Sequence, residues 1–112
     1  MSVVVHVVRG DTRPTLEFHV TDDLGAVIVL TGSTPKFRIR RKGSITVLVE
    51  RTCTVTDGPN GKCQFAWATG DWATGKMDAA GHYDGELEVT FGDATIGTVF
   101  EIVHLYARDQ VG

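Results

Sequence analysis

The stretch GHYDGELEVTF, residues 81–91, is the most informative part of this 112-residue chain. Small or apolar residues stand at every second position, and these are Tyr83, Gly85, Leu87, Val89 and Phe91. The positions between them, Asp84, Glu86, Glu88 and Thr90, are polar. Side chains of a β-strand point alternately to its two faces, so this period of two predicts a strand with one buried and one solvent-exposed face.

Tyr83 stands at the start of that strand, just after a turn at Gly81. A tyrosine in this position is typical of the tyrosine corner of immunoglobulin-like sandwiches, in which its hydroxyl bonds to nearby backbone. We therefore expect a structural role for Tyr83. The fold that it favours, an all-β sandwich, more often binds or holds other molecules than catalyses a reaction.

The rest of the chain also reads as short strands separated by turns. Turn signals such as Asp22–Gly25 and Asp57–Gly61 separate about eight short strands, and no long helical pattern is present. A single last strand is expected over residues 95–107. The pattern predicts an immunoglobulin-like antiparallel sandwich of about seven to nine strands, forming one domain over residues 1–112. Trp67 falls on an inward position and is expected to fill the core.

Charge and hydropathy exclude several classes of partner. The formal net charge is −3 and the pI is about 5.7, whereas a general nucleic-acid-binding protein needs a basic surface. No apolar run approaches the roughly 18 residues of a membrane span, and the N-terminus lacks the features of a signal peptide. We therefore expect no nucleic-acid or membrane partner, and synthesis in a cytoplasm.

No motif predicts catalysis or a cofactor. Signatures such as GxSxG and GxGxxG are missing from the sequence. Glu86 and Glu88 share one exposed strand face, whereas a glycosidase needs two carboxyl groups facing each other across a cleft. The expectation is a non-enzymatic protein without cofactors.

No metal is expected either, because the histidines show no HxH or HExxH spacing. Two alternatives stay open. One is a metal between His6 and His19 if their strands pair, and the other is weak calcium binding at the oxygen ligands of two turns, Asp22 with Asp23 or Asp57 with Asn60. Hydrogen bonding within the turns is the expected first role of those carboxylates.

The two cysteines, Cys53 and Cys63, flank the turn at Asp57–Gly61. If Thr56 pairs with Lys62 in a hairpin, both sulfurs lie on the same face, on a diagonal. We expect two buried thiols that act as small apolar side chains. A disulfide is the alternative.

Three features are candidates for a protein interface. The first is a strand face carrying Lys36, Arg38 and Arg40. These cations either pair with acidic residues on a neighbouring strand or form a docking patch for an acidic protein, with nucleic acid as a third possibility. Arg38 and Arg40 are therefore candidate interface residues.

The second candidate is Trp72, which lies in the polar, Gly-rich connection over residues 70–80. It either caps the end of the sandwich or anchors a partner, since an exposed tryptophan is a favoured binding residue.

The third candidate is the pair of terminal strands, Val3–Val8 and Ile96–Tyr106, which are long and apolar. A free edge strand of this kind invites pairing with another chain. Val3, Val5 and Val7 are therefore candidate interface residues, and the domain is expected to exist in an assembly.

The order of turns and alternating stretches resembles phage tail proteins, and in particular the N-terminal immunoglobulin-like domain of phage baseplate upper proteins. The first half of the match runs through GDTRP at 10–14, the DDLG turn at 22–25 and FRIRRKG at 37–43. The second half includes FAW at 65–67 and ELEVTF at 86–91. The resemblance covers roughly residues 9–100 and is a pattern of turns rather than a catalytic motif.

The resemblance implies a structural role in a bacteriophage virion, as an adaptor that fixes receptor-binding or fibre parts to the tail or baseplate. Its partners would be other virion proteins and copies of itself in a homo-oligomer, with synthesis in the host cytoplasm and final location in the virion. A neck or capsid-associated protein with the same fold is one alternative. A module that binds carbohydrate or a host receptor, through Trp72 with Asp71 and Lys76, is another.

Overall fold

The computed structural model describes residues 3–9, 15–22, 24–98 and 103–109. Within these residues lie nine strands: β1 Val3–Val8, β2 Leu16–His19, β3 Thr34–Arg41, β4 Val47–Thr52, β5 Thr54–Asp57, β6 Lys62–Phe65, β7 Gly81–Thr90, β8 Ile96–Thr98 and β9 Val103–Arg108. Two short 3₁₀ helices, Gly58–Asn60 and Thr69–Trp72, lie in the connections.

The strands form two sheets. The larger has the order β1-β9-β7-β3-β4, with β8 also pairing to β7, and the smaller has the order β2-β6-β5. The orders β9-β7-β3-β4 and β2-β6-β5 match G-F-C-C′ and B-E-D of an immunoglobulin domain. The predicted all-β, immunoglobulin-like sandwich is therefore confirmed, with one parallel pair, β1 with β9, in addition to its antiparallel pairs.

The buried face of β7 has the composition that the alternation predicts. Tyr83, Gly85, Leu87 and Val89 are buried, and the residues between them are not. β7 lies in the middle of the larger sheet, with β3 on one side and β8 and β9 on the other. Gly85 makes room for a neighbour, because a Cβ there would lie 2.2 Å from Cζ of Phe37.

The core between the sheets contains a chain of aromatic contacts. Phe37 of β3 packs on Phe65 of β6 with ring centroids 5.2 Å apart, and Phe65 packs edge-on to Trp67 at 5.0 Å. Trp67 is 6% exposed, so it lies in the core as expected. These contacts join the larger sheet to the smaller one.

Tyr83 makes the hydrogen bond that a tyrosine corner requires. Its hydroxyl donates to the backbone carbonyl of Ala79 at 2.5 Å, four residues upstream. The ring is fully buried, and the guanidinium of Arg41 lies 5.1 Å from its centroid. The start of β7 is thereby attached to the loop that precedes it.

One local prediction is wrong, and another is only partly covered by the described residues. The strand expected over residues 95–107 is described in two parts, since β8 pairs with Glu88–Thr90 and β9 with Gly81–Gly85, and residues 99–102 between them lie outside the described part of the chain. In the hairpin of β5 and β6, Val55 faces Cys63 as expected, but Asp57 rather than Thr56 faces Lys62. The 3₁₀ turn closes directly after Asp57, which leaves Thr56 as the extra residue of a bulge.

Candidate protein interface

The two apolar terminal strands, both predicted as possible free edges, pair with each other. β1 runs parallel to β9 with Val3, Val5 and Val7 at the register positions of Val103, Leu105 and Ala107. β9 is therefore covered on both sides. β1 is the outermost strand of the larger sheet, and no strand among the described residues pairs with its outer edge.

The outer edge of β1 is the least protected sheet edge in the described parts of the chain. Natural edges are usually blunted by charge, proline, a bulge or short length. β4, at the opposite margin, carries Glu50 and Arg51 and faces an irregular register at Ile39 and Arg40. The margins of the smaller sheet, β2 and β5, have four residues each. β1 has six residues with no Pro, Lys, Arg, Asp or Glu.

Arg38 is engaged within its own sheet. Its Nε donates to Oε2 of Glu50 on β4 at 2.6 Å, and Nη1 and Nη2 donate to the carboxylate of Glu88 on β7 at 2.7 and 3.2 Å. These bonds, with Glu88 first and Glu50 second, raise the pKa of the Arg38 guanidinium further. The bond from Arg38 also lowers the pKa of Glu50. The geometry is that of cross-strand ion pairing rather than of a cation left for a partner.

Arg40 differs from Arg38. It is half-buried, lies opposite Asp84 in the register, and takes part in none of the ion pairs found among the described residues. It lines a surface cleft of about 290 Å³ together with Arg38, Ile39, Val47, Asp84, Gly85 and Glu86. Because the charged residues of this lining are two arginines and two carboxylates, the cleft carries mixed charge and is not a basic patch. It does not offer the charge complementarity that an acidic partner needs.

Of the two roles considered for Trp72, an exposed anchor does not fit the structure. Its side chain is 8% exposed, and its ring stacks on Trp67 with centroids 5.0 Å apart and an interplanar angle of 23°. The alternative of a cap at the end of the sandwich describes it better. A buried ring also offers no platform on which a sugar could stack, and an exposed ring is what the carbohydrate alternative at Trp72, Asp71 and Lys76 requires.

An ion pair that the sequence analysis did not predict lies directly beside Trp72. Asp71 is 4% exposed and accepts from Nη1 and Nη2 of Arg51 at 2.9 and 2.6 Å, and from the backbone N–H of Ala68 at 2.7 Å. Arg51 also donates to the carbonyl of Ala66 at 2.8 Å. These bonds hold residues 66–72 against the end of the sandwich.

A signal for this pair is present in β4. Val49 is buried, so the period of two places Arg51 on the inward face, where a lone cation needs a carboxylate partner. The partner lies 20 residues further on in a loop, and nothing in the sequence identifies it. From the sequence, Asp71 was considered only beside Trp72 and Lys76 as part of a carbohydrate site, and it stands third in the 3₁₀ helix Thr69–Trp72.

The remaining polar candidates serve local structure. His104 Nδ1 lies 2.9 Å from Oδ1 of Asp84, and the His82 ring packs edge-on to Tyr106. Oδ1 of Asp22 accepts from the N–H groups of Leu24 and Ala26, both at 2.9 Å. Among the described residues no group of three His, Cys, Asp or Glu residues is placed to hold a metal ion.

Asn60 donates to Oδ2 of Asp57 at 2.9 Å, so the second turn carboxylate also bonds within its own turn. A metal between His6 and His19 would require their strands to pair. They do not, because His6 is on β1 of the larger sheet and His19 is on β2 of the smaller sheet. The side chain of His6 lies outside the described residues. Within the described residues there is no helix of the length and hydropathy that crossing a bilayer requires.

Comparison with known proteins supports the fold alone. No protein-family model and no curated protein matches the chain. Among solved structures, the crystal structure of CopC from Methylosinus trichosporium OB3b is similar, with a TM-score of 0.54, and the match covers 99% of this chain and 89% of that chain. At 11% sequence identity the similarity shows a shared β-sandwich and carries no functional conclusion.

Proposed function

We propose that this protein is a non-enzymatic structural adaptor of a phage particle, in the tail or baseplate, which joins other virion proteins and copies of itself by strand addition to the outer edge of β1. The phage context rests on the sequence resemblance over roughly residues 9–100. Strand addition is proposed as the mode of binding because no described strand pairs with the outer edge of β1, and β1 has no charged residue or proline.

Strand addition suits this edge for a physical reason. An edge strand presents alternate backbone N–H and C=O groups to solvent, and an extended segment of another chain satisfies them with a ladder of hydrogen bonds. All six residues of β1 are in register with β9, from Val3 with Val103 to Val8 with Arg108. The edge strand is therefore paired along its whole length with β9, which is itself flanked by strands on both sides.

No exposed aromatic ring among the described candidates supports the alternative of a carbohydrate-binding or host-receptor-binding module. It depended on an exposed aromatic ring at Trp72, and that ring is buried against Trp67. The cation face offers no substitute, because Arg38 already bonds two carboxylates.

Light scattering of the purified protein over a range of concentrations tests the proposal. We expect a defined oligomer, and we expect Val4→Lys to dissociate it by placing a charge on the edge strand. Val4 is suited because its register partner, His104, is only half-buried, whereas Val5 stands opposite the buried Leu105. Val47→Lys is the matched control, since Val47 is 46% exposed on β4 at the opposite margin of the same sheet.

Two outcomes would count against the proposal. If the Val4→Lys protein keeps the mass of the wild type, the oligomer does not form through β1. If the wild type is a monomer and also fails to bind tail or baseplate proteins from the same phage in a pull-down, the adaptor role is overturned as well.

A further inference from the structure

The connection between β2 and β3 contains a second set of unpaired backbone groups. Over residues 26–30, alternate residues bond to the chain beside them. The backbone N–H of Ile28 donates to the carbonyl of Val20 at 3.0 Å, and the N–H of Leu30 donates to the carbonyl of Gly58 at 2.8 Å. The segment is therefore attached along one side to the end of the smaller sheet.

Val27 and Val29 alternate with these bonded residues. Val27 is the antiparallel bridge partner of Thr21, but the hydrogen bonds of that bridge are made by the chain neighbours of the two residues. In the described parts of the chain, no hydrogen-bond partner is found for the backbone N–H and C=O groups of Val27 or Val29. Such an alternation is typical of an edge strand, and it leaves two donors and two acceptors for an added strand.

The same residues expose apolar side chains. Val27 is 43% exposed and Val29 is 54% exposed, and Leu24 in the preceding turn is 89% exposed. Residues 26–30, AVIVL, include no charged residue and no proline. Since charge and proline are the usual means of blunting a sheet edge, this segment is as unprotected as the outer edge of β1.

The segment is fixed in position by its own surroundings. A Cβ at Gly61 would lie 2.6 Å from the carbonyl oxygen of Ile28 and 2.8 Å from that of Val20, so the glycine allows the chains to approach closely. At the start of the segment, the backbone N–H of Asp22 donates to the carbonyl of Ala26 at 2.8 Å. An edge that is already ordered loses little conformational entropy when a strand is added to it.

We infer that residues 26–30 accept the outer edge of β1 from a second copy of the chain, so that the copies join head to tail. This inference rests on the proposed self-association through β1 and names the surface that β1 meets. One contact covers two apolar, uncharged edges at once, whereas β1 paired with β1 leaves Val27 and Val29 exposed. The margins β2, β4 and β5 suit β1 less, because each of them carries charged residues.

A contact between two different surfaces has a consequence for the assembly. Heterologous contacts give a closed ring where the rotation between copies closes, and an open filament where it does not. A contact with two donors and two acceptors is short, and a ring in which every copy makes two such contacts gains from the high effective concentration of its ends. We therefore expect the defined oligomer to contain more than two copies.

Light scattering of full-length variants tests the inference. We expect Val29→Lys to reduce the oligomer to a monomer, because the new charge would be buried against the added strand. Val4→Lys should do the same from the other edge. Ile45→Lys is the matched control, since Ile45 is 92% exposed in the turn between β3 and β4, and it should keep the mass of the wild type.

Mixing the two monomeric variants separates a head-to-tail contact from β1 paired with β1. Val4→Lys keeps residues 26–30 intact, and Val29→Lys keeps the edge of β1 intact. An equimolar mixture should therefore form a one-to-one complex, which neither variant forms alone at the same total concentration. If β1 paired with β1, Val29→Lys alone would keep the mass of the wild type and mixing would form no such complex.

The outcomes separate this inference from the proposed function. If Val4→Lys dissociates the oligomer while Val29→Lys keeps the wild-type mass, the role of β1 stands and residues 26–30 are not its partner. A mixture that stays monomeric would also overturn the head-to-tail contact. If circular dichroism shows that Val29→Lys is unfolded, Val27→Lys takes its place with the same expected mass. A monomeric wild type would overturn the inference together with self-association through β1.

Discussion

Gly85 is the position on the buried face of β7 where a side chain cannot be accommodated. A Cβ there would lie 2.2 Å from Cζ and 2.8 Å from Cε1 of Phe37, and that ring is itself fully buried between the sheets. Glycine within a strand usually weakens it, and it is tolerated where another group approaches closely. The Phe37 ring fills the space, so the aromatic contacts of the core depend on the absence of a side chain at residue 85.

We expect Gly85→Ala to lower the free energy of unfolding by about 1–3 kcal/mol, because the new methyl group forces the Phe37 ring out of its packed position. Chemical denaturation gives the measurement. Gly70→Ala is the matched control, since a Cβ at Gly70 meets nothing within 4 Å, and it should change stability by less than about 0.5 kcal/mol. Equal effects of the two substitutions would show that the Phe37 ring can move without cost.

At the scale of elements, the connection from residue 66 to residue 77 is fixed by polar bonds as well as by packing. Asp71 bonds Arg51 through two oxygens, its backbone carbonyl accepts from the N–H of Met77 at 3.0 Å, and Met77 is fully buried. Trp72 then closes over Trp67. A Gly-rich loop of low β propensity is thereby made into a lid over one end of the core.

Asp71→Asn should release this connection. The amide keeps the size of the side chain but loses the charge that Arg51 pairs with, and breaking a buried pair leaves an uncompensated cation. Because the Arg51 side chain is 33% exposed and partly screened by solvent, we expect a loss of about 1–3 kcal/mol in the free energy of unfolding. Tryptophan fluorescence should shift to longer wavelength as Trp72 gains water. Glu50→Gln, which removes an exposed partner of Arg38, should leave the fluorescence unchanged.

A different result would limit the role of the ion pair. If Asp71→Asn keeps both the wild-type fluorescence and the wild-type stability, the connection is held without the pair with Arg51, and that pair is incidental to the burial of Trp72.

Strands with a local alternation of polar and apolar residues could be predicted from the sequence, whereas features that depend on residues distant in the sequence could not. The alternation over residues 81–91 and the turn signals predict the strands and the sandwich, because a period of two is a local property. The bulge at Thr56 and the pairing of β1 with β9 depend on turn geometry and sheet order, which no local pattern encodes. The two roles offered for Trp72, a cap or an exposed anchor, could not be separated from the sequence, because its ring packs on Trp67 and lies next to an ion pair between Asp71 and the distant Arg51.

For the whole molecule, several exposed carboxylates are held in their charged form by bonds that exist only in the folded state. The bond from Arg38 lowers the pKa of Glu50, the backbone N–H of Gly75 lowers the pKa of Asp78, and the side chain of Thr95 lowers that of Asp93. These groups lie on the outer face of the larger sheet, in the loop before β7 and in the turn between β7 and β8. Their effects are therefore distributed over the molecule.

This distribution predicts how stability depends on pH. A carboxyl group with a lower pKa in the folded state binds fewer protons there than in the unfolded chain, so its stabilising contribution is complete above the unfolded pKa of about 4 and is lost as pH falls through the folded pKa. We expect the urea midpoint to be nearly constant from about pH 7 to pH 5 and to fall below that. Asp93→Asn should lower the midpoint at pH 7 and make its fall toward low pH shallower, because the contribution of Asp93 is already gone. A midpoint that stays constant down to pH 3 would show that the folded-state bonds of these carboxylates contribute nothing to stability.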